Sequence, residues 1–217
     1  MPANTNRLLS GILRPFFSLL YHQMAWSYDI VAAVVSMGQW QEWIMAVLPY
    51  IRGNRVLELG HGPGHLQASL AGSGKLVFGL DLSPQMGRIA RRRLRLEKRT
   101  PRLIRARGEQ IPLASGKLDC AVATFPTEYI FQIETMQELF RILRPGGCCV
   151  LLPVAWITGK AWWDRAASGL FSVTRQAPAW DERFLKSAHQ AGFNTHTEQL
   201  HLSRSTILLV TAVKPGA

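Results

Sequence analysis

A chain of 217 residues with 47% hydrophobic content is long enough to close one domain around a sizeable core, and its apolar runs exclude intrinsic disorder. Cys120, Cys148 and Cys149 all lie inside apolar runs, so neither a disulfide framework nor a zinc spacing is present, and a reducing compartment is the simpler expectation. The balance of 25 Lys plus Arg against 14 Asp plus Glu gives a net charge of +11, which favours anionic partners without choosing among a membrane surface, nucleic acid and plain solubility.

The N-terminus has the pattern of an amphipathic helix. Arg7, Ser10, Arg14 and Ser18 recur every three or four positions, while Leu8, Leu9, Ile12, Leu13, Phe16, Phe17, Leu19 and Leu20 fill the rest of the wheel. The segment is too short and too charged to span a bilayer, and Arg14-Pro15 interrupts the apolar core that a signal peptide needs. Two placements fit it: an interfacial helix on a membrane, or a cover over the protein's own cleft. Residues 1–50 are expected to form a helical cap ahead of a core over 51–217.

From Arg55 onward, apolar runs alternate with helical periodicity, the arrangement that builds a parallel sheet with helices on both faces. Strands are expected at Arg55–Leu59, Lys75–Leu80, Leu103–Ala106, Leu118–Thr124 and Cys148–Leu152. A helix follows at Gly64–Ala71, and a second starts after a Ser83 cap with Pro84 at its first position. Ten basic residues lie between Arg88 and Arg107, opposed only by Glu97. Ile133–Leu143 is a third helix, stopped by Arg144-Pro145-Gly146-Gly147. Residues 153–180 carry Trp156, Trp162, Trp163, Phe171 and Trp180 with no clean period and are expected to be an aromatic insertion. A last helix, Asp181–Ala191, leads to strands Phe193–Leu200 and Thr206–Val213, made antiparallel by the short connection around Ser203 and Arg204. The fold class is α/β, with a seven-stranded, mostly parallel sheet and an antiparallel final strand.

The strongest signal is Val56-Leu57-Glu58-Leu59-Gly60-His61-Gly62-Pro63-Gly64, a buried strand that runs directly into three alternating glycines and then a helix. Glycines there let the chain turn sharply and let a ligand lie on bare main chain beside the positive end of a helix. Asp81 follows Gly62 by 19 residues, the spacing at which an acid ending the next strand can accept hydrogen bonds from a ribose diol. The glycines spell G-x-G-x-G and not the G-x-G-x-x-G of dinucleotide sites, and Glu58 stands two residues before them. That carboxylate would repel a pyrophosphate and attract an ammonium group.

Together with Gly79-Leu80-Asp81-Leu82-Ser83 and Met86, Gln110-Ile111-Pro112-Leu113 before Leu118-Asp119, and Leu143-Arg144-Pro145-Gly146-Gly147, this motif resembles the class I S-adenosylmethionine-dependent methyltransferases. The likeness is to their small-molecule and lipid branch, which includes quinone-biosynthesis and phospholipid N-methyltransferases, and it covers roughly Trp26 to Val213. It implies a Rossmann-like sheet, S-adenosyl-L-methionine as cofactor with S-adenosyl-L-homocysteine as product, and no metal. By the same resemblance, Gly60, Gly62 and Gly64 pack under the methionine and ribose, and Glu58 orients that end through the turn and the amino group. Asp81 holds the ribose hydroxyls, and Leu82 and Met86 line the adenine. Thr124 and Phe125 offer main chain near the amino-acid end, and Tyr28 reaches the cofactor from the N-terminal segment. The family usually carries an acid for the adenine amino group about four residues before Ile111. Arg107 stands there instead and cannot accept a hydrogen bond, so the adenine contact passes to the main chain at Gly108 or to Glu109.

Methyl transfer from a sulfonium asks the enzyme to align nucleophile, methyl and sulfur in a dry cleft. For an acceptor that must lose a proton, Glu128, Tyr129 and His61 are candidate bases; His61, inside the glycine turn, is also a candidate for the cofactor site. The apolar N-terminus, the aromatic insertion and the basic helix point to a small-molecule or lipid-like acceptor. It would be met at an anionic membrane surface, by a cytoplasmic protein peripheral to the inner face. A nucleic-acid (RNA) methyltransferase would account for the arginines, but Thr124-Phe125-Pro126-Thr127 stands where an Asn-Pro-Pro-aromatic or Asp-Pro-Pro-aromatic tetrapeptide is expected. A non-catalytic module that binds S-adenosylmethionine is the third reading. His189, His196 and His201 show no ligand spacing.

Overall fold

Strand runs that are apolar at successive positions need cover on both faces, and the chain supplies it. The computed structural model describes residues 33, 36–158 and 177–216. In chain order these form α1 (Trp40–Met45), β1 (Arg55–Leu59), α2 (His65–Gly72), β2 (Leu76–Leu80), α3 (Pro84–Leu96), β3 (Leu103–Ile104), β4 (Leu118–Thr124), α4 (Ile133–Ile142), β5 (Leu143–Ile157), α5 (Ala177–Gln190), β6 (Asn194–His201) and β7 (Ser205–Val213). Short 3-10 turns occur at Leu48–Tyr50 and Glu128–Phe131. The strand order is β3-β2-β1-β4-β5-β7-β6, and only β7 runs against its neighbours. This is the mostly parallel, seven-stranded sheet with an antiparallel final strand that the sequence pattern implies.

Alternate strand residues divide between two cores. Leu57 and Leu59 of β1, Ala121 and Ala123 of β4 and Leu151 of β5 pack against Met136 and Leu139 of α4 and Phe184 and Ala188 of α5. Val56, Val122 and Val150 face the other way, onto Leu66 and Leu70 of α2 and onto Trp43, Val47 and Ile51 of the segment before β1. Each buried Leu, Val, Ile, Met or Phe among them contributes about 1.5–3 kcal/mol. The Trp43 indole donates to Ser205 Oγ at 2.7 Å, tying α1 to the start of β7.

The expected boundaries differ by more than one residue at four places, the first being the start of β5, which lies at Leu143 instead of Cys148 and takes in Arg144-Pro145-Gly146-Gly147. β5 does not stop at Leu152 but continues to Ile157. Its register with β7 passes from Leu151↔Val210 to Val154↔Leu208, so Leu152 and Pro153 together oppose Leu209 in a β-bulge. Proline, which has no N–H to give to the ladder, is tolerated at such a position. The extra residue reverses the inward and outward alternation, so Ala155 shares the face of Leu152 while Val154 and Trp156 turn to the other core. Trp156, expected in an insertion, is thus a strand residue; Trp162, Trp163 and Phe171 lie outside the described residues. α5 begins at Ala177, four residues before the expected Asp181, with Pro178 in its first turn, where a missing N–H breaks no helical bond. β3 is only Leu103–Ile104 and does not reach Ala106. Among the described residues no helix is long and apolar enough to cross a membrane.

Candidate functional site

At the end of β1 the main chain turns through Gly60, Gly62 and Gly64 with φ of 72°, 51° and 84°, values that L side chains rarely adopt. The three glycines have different neighbours. A Cβ on Gly60 would stand 2.7 Å from the Tyr129 hydroxyl, and one on Gly64 would stand 2.8 Å from the Ala90 Cβ of α3, whereas one on Gly62 would meet nothing within 4 Å. Gly62 is therefore the position with room above it, and Gly64 lets α2 and α3 approach. Gly64→Ala is expected to destabilise the fold by about 2–4 kcal/mol, from backbone strain plus overpacking, whereas Gly62→Ala carries only the strain, about 1–2 kcal/mol. Urea unfolding of the two variants checks this contrast; equal losses would contradict it.

Asp81 sits at the tip of β2. One carboxylate oxygen accepts from the Gly62 amide at 2.9 Å and the other from the Ser83 amide at 2.8 Å, so the side chain bridges the glycine turn and the start of α3. Ser83 Oγ in turn accepts from the Met86 amide at 3.3 Å, the helix cap anticipated from Ser83-Pro84. Arg93 of α3 donates to the Pro63 carbonyl at 2.7 Å, holding the turn from its far side.

Glu58 is 2% exposed and lies on the α2 face of the sheet, beside Gln67; one of its carboxylate oxygens has no hydrogen-bond partner. Burial pushes its carboxyl up from 4.5 to about 8, hydrogen bonds with Gln67 oppose this, and the negative charge of Asp81 adds to it. A buried acceptor left without a donor is costly, so a cation brought to this turn would be strongly favoured.

His61 is 4% exposed, with Nδ1 at 2.7 Å from the Gly62 carbonyl. Its ring packs against β2, where a Cβ on Gly79 would stand 2.9 Å from His61 Cδ2 and 3.1 Å from the Gln67 side chain. Burial lowers its pKa, and the Asp81 charge partly opposes the shift. The ring lies on the underside of the turn among Gly79 and Gln67, and is not brought to an exposed face where an acceptor could be deprotonated.

Tyr129 and Glu128 begin the 3-10 turn after β4. The Tyr129 hydroxyl is 3.5 Å from the Leu59 carbonyl and directly above Gly60, whereas Glu128 is exposed. Gly108 is buried beneath the same ring: a Cβ there would approach Tyr129 Cδ2 at 3.4 Å and Thr135 Oγ1 at 3.2 Å, and Thr135 Oγ1 is itself buried without a partner. Glu109 beside it is half-buried. A clamp from α4 holds this loop. Glu138 accepts from the Ile111 amide at 2.8 Å, and Arg141 donates to the Ile111 and Leu113 carbonyls at 2.8 Å while pairing with Glu138 at 2.6 Å.

Of the two residues expected to line adenine, Leu82 is 52% exposed and Met86 is buried beneath the α3 start. Thr124 is half-buried at the end of β4. Phe125 follows with φ 47°; its amide donates to the Leu152 carbonyl at 2.7 Å, and its ring stacks on Trp40 at 4.4 Å with Trp43 at 6.0 Å. Tyr28 lies outside the described residues. Sequence reasoning missed Gln67, Thr135 and Trp40. The spacing of Trp40 and Trp43 on one helix face was the available signal for the last, and a glutamine between Leu66 and Leu70 for the first.

Residues 56–147 match a family described as a methyltransferase domain. The chain is 30% identical over 139 residues to a demethylmenaquinone methyltransferase from Clavibacter sepedonicus, covering 62% of this chain and 56% of that protein. It is 36% identical over 113 residues to a malonyl-[acyl-carrier protein] O-methyltransferase from Enterobacter lignolyticus, covering 52% and 43%. Among solved structures, geranyl diphosphate C-methyltransferase from Streptomyces coelicolor, crystallised with Mg2+, geranyl diphosphate and S-adenosyl-L-homocysteine, aligns with a TM-score of 0.58 over 80% of this chain and 79% of that one. At 15% identity that likeness is one of fold. The chain spans about half the length of the curated relatives it matches.

Proposed function

We propose that this chain, whose residues 56–147 match a methyltransferase domain, is a class I S-adenosyl-L-methionine-dependent methyltransferase that passes the methyl group of that cofactor to a small, lipid-like acceptor. One observation carries the reading: an open glycine, Gly62, lies between a buried carboxylate with an unpartnered oxygen, Glu58, and a second carboxylate at the adjacent strand tip, Asp81. When bound, the cofactor supplies a methyl group made electrophilic by a sulfonium.

The residues present suit such a ligand. Glu58 would take its ammonium group, bare main chain at Gly60 and Gly62 would lie under the methionine and ribose, and Asp81 would accept from the ribose hydroxyls. Leu82 offers an exposed apolar surface to the adenine, and the Gly108 main chain or Glu109 its polar edge. Thr124 and Phe125 close the amino-acid end, and Tyr28 is proposed to join them from the cap over 1–50. His61 supports the turn from below. Gly64 serves the packing of α2 on α3, and Met86 backs Leu82.

Two features support an apolar acceptor. Trp40 and Phe125 stack at the carboxyl end of β4, where ligands of open α/β sheets bind, and the relatives described above are named as methyltransferases of demethylmenaquinone and of malonyl-[acyl-carrier protein]. An acceptor of that kind goes with a cytoplasmic enzyme working at the inner face of a membrane, with residues 1–20, which lie outside the described residues, proposed as a helix on the lipid or over the cleft. Nucleic acid has no comparable support.

Calorimetry with S-adenosyl-L-homocysteine tests the cofactor half: saturable heat is expected, Gly62→Ala should abolish it, and no heat from folded wild-type protein would sink the proposal. For an acceptor that must lose a proton, Tyr129 is better placed than the exposed Glu128, because its hydroxyl overhangs Gly60. Tyr129→Phe is expected to lower kcat about a hundredfold with S-adenosyl-L-homocysteine affinity nearly unchanged. An affinity loss of the same size would make it a binding residue instead.

A further inference from the structure

We propose that the outward face of α3 docks on an anionic lipid bilayer, with its arginines on lipid phosphates and Leu96 in the headgroup layer. Met86, Ala90 and Leu94 turn inward and are buried, which leaves Arg88, Arg91, Arg92 and Arg95, at i, i+3, i+4 and i+7, along the opposite side. These four line one shallow recess of about 330 Å³ together with Leu96. None of the four side chains has a hydrogen-bond or ion-pair partner among the described residues, and the helix contains no acid between Pro84 and Leu96. Like charges at these spacings repel one another in water, and an anionic surface relieves that repulsion.

Leu96 decides between kinds of anion. Of the two large apolar side chains exposed among the described residues, Leu82 lies at the proposed adenine site, and Leu96, 75% exposed, shares the recess with the arginines. A nucleic-acid backbone offers an exposed leucine little, whereas a bilayer interface takes cationic and apolar groups on the same face. α3 also begins at the Asp81–Ser83 turn, so docking along its outward face holds the proposed cofactor site within one helix length, about 18 Å, of the surface where a lipid-like acceptor would be met. The inference rests in that respect on the acceptor reading above.

The test is sedimentation of the full chain with phosphatidylcholine vesicles, with and without phosphatidylglycerol, at rising salt. Wild-type protein is expected to pellet only with the anionic vesicles and to be released by salt. Each basic residue at such a surface is worth about fivefold in partition, so the combined variant R88Q/R91Q/R92Q/R95Q should lose about a hundredfold or more. Leu96→Ser should lose severalfold. Both variants should keep the wild-type melting temperature and calorimetric response to S-adenosyl-L-homocysteine, because these side chains lie outside the site. Undiminished sedimentation of the four-arginine variant would overturn the proposal and leave the N-terminal segment as the anchor. Equal binding to neutral vesicles would overturn it as well, as would a short RNA duplex that binds more tightly and strips the protein from vesicles. Vesicle binding in a wild-type sample that gives no heat with S-adenosyl-L-homocysteine would instead sink the cofactor reading while upholding the docking face.

Discussion

Glu58→Gln is expected to yield a protein that is harder to unfold and nearly unable to hold its cofactor. The folded chain keeps the Glu58 proton between pH 4.5 and about 8, where an unfolded chain has released it. With more protons bound in the folded state across that window, stability declines as pH rises through it, by a few kcal/mol in all. Glutamine carries no such titration, so the gain in melting temperature should be largest near pH 8 and vanish below pH 4.5. Binding runs the other way. An ammonium beside Glu58 favours its ionised form, so association below pH 8 must expel the proton, and affinity for S-adenosyl-L-homocysteine should rise with pH by up to about tenfold per unit. Removing the charge should flatten that slope and weaken binding by about a hundredfold, the worth of one charge-assisted hydrogen bond in a buried setting. Calorimetry in buffers of different ionisation heat reads the released proton directly; a flat wild-type pH profile would show that Glu58 does not meet the ligand.

The second large effect concerns Asp81→Asn. The carboxylate accepts from two amides at once, Gly62 and Ser83, and an amide side chain can satisfy only one of them while pointing a donor at the other. A loss of about a hundredfold to a thousandfold in S-adenosyl-L-homocysteine affinity is expected, together with a lower melting temperature. A double comparison separates contact with the ribose from damage to the turn. The wild type should discriminate strongly against a 2'-deoxy analogue, and the Asn variant should bind both ligands about equally. If the variant kept the wild-type preference for the ribose diol, Asp81 would be a brace for the turn and not a ribose acceptor. The substitution also removes a negative charge that holds the Glu58 carboxyl up, so the pH slope should move toward lower pH in this variant.

The glycine turn and its two acids were legible in sequence because each is local. A strand, a tight turn and a helix follow one another within Val56–Leu70, and the acid ending β2 is fixed by the next short crossover. Residue letters could not say that Gly62 faces open space while Gly64 faces Ala90, since that depends on how α2 and α3 approach. Nor could they say that His61 turns under the chain, because its direction follows from the positive φ values on either side. The Glu138–Arg141 clamp reaches a loop 27 residues upstream, and Trp40 stacks on a ring 85 positions further along. Both are products of packing. The bulge at Pro153 was hidden for the same reason: it exists only against Leu209, and the sequence of β5 alone reads as a strand that ends there.

That bulge shapes the mouth of the cleft. β4 ends opposite Leu152, yet β5 and β7 stay paired as far as Ile157 and Ser205, five residues higher, with β6 beside them to His201, so a three-stranded parapet rises about 16 Å above the end of β4. The Trp43 indole is bolted to its crest at Ser205. One bank of the entrance is thus held rigid by ladder hydrogen bonds. An acceptor of the proposed kind has to lean away from it, across the side where α3 begins.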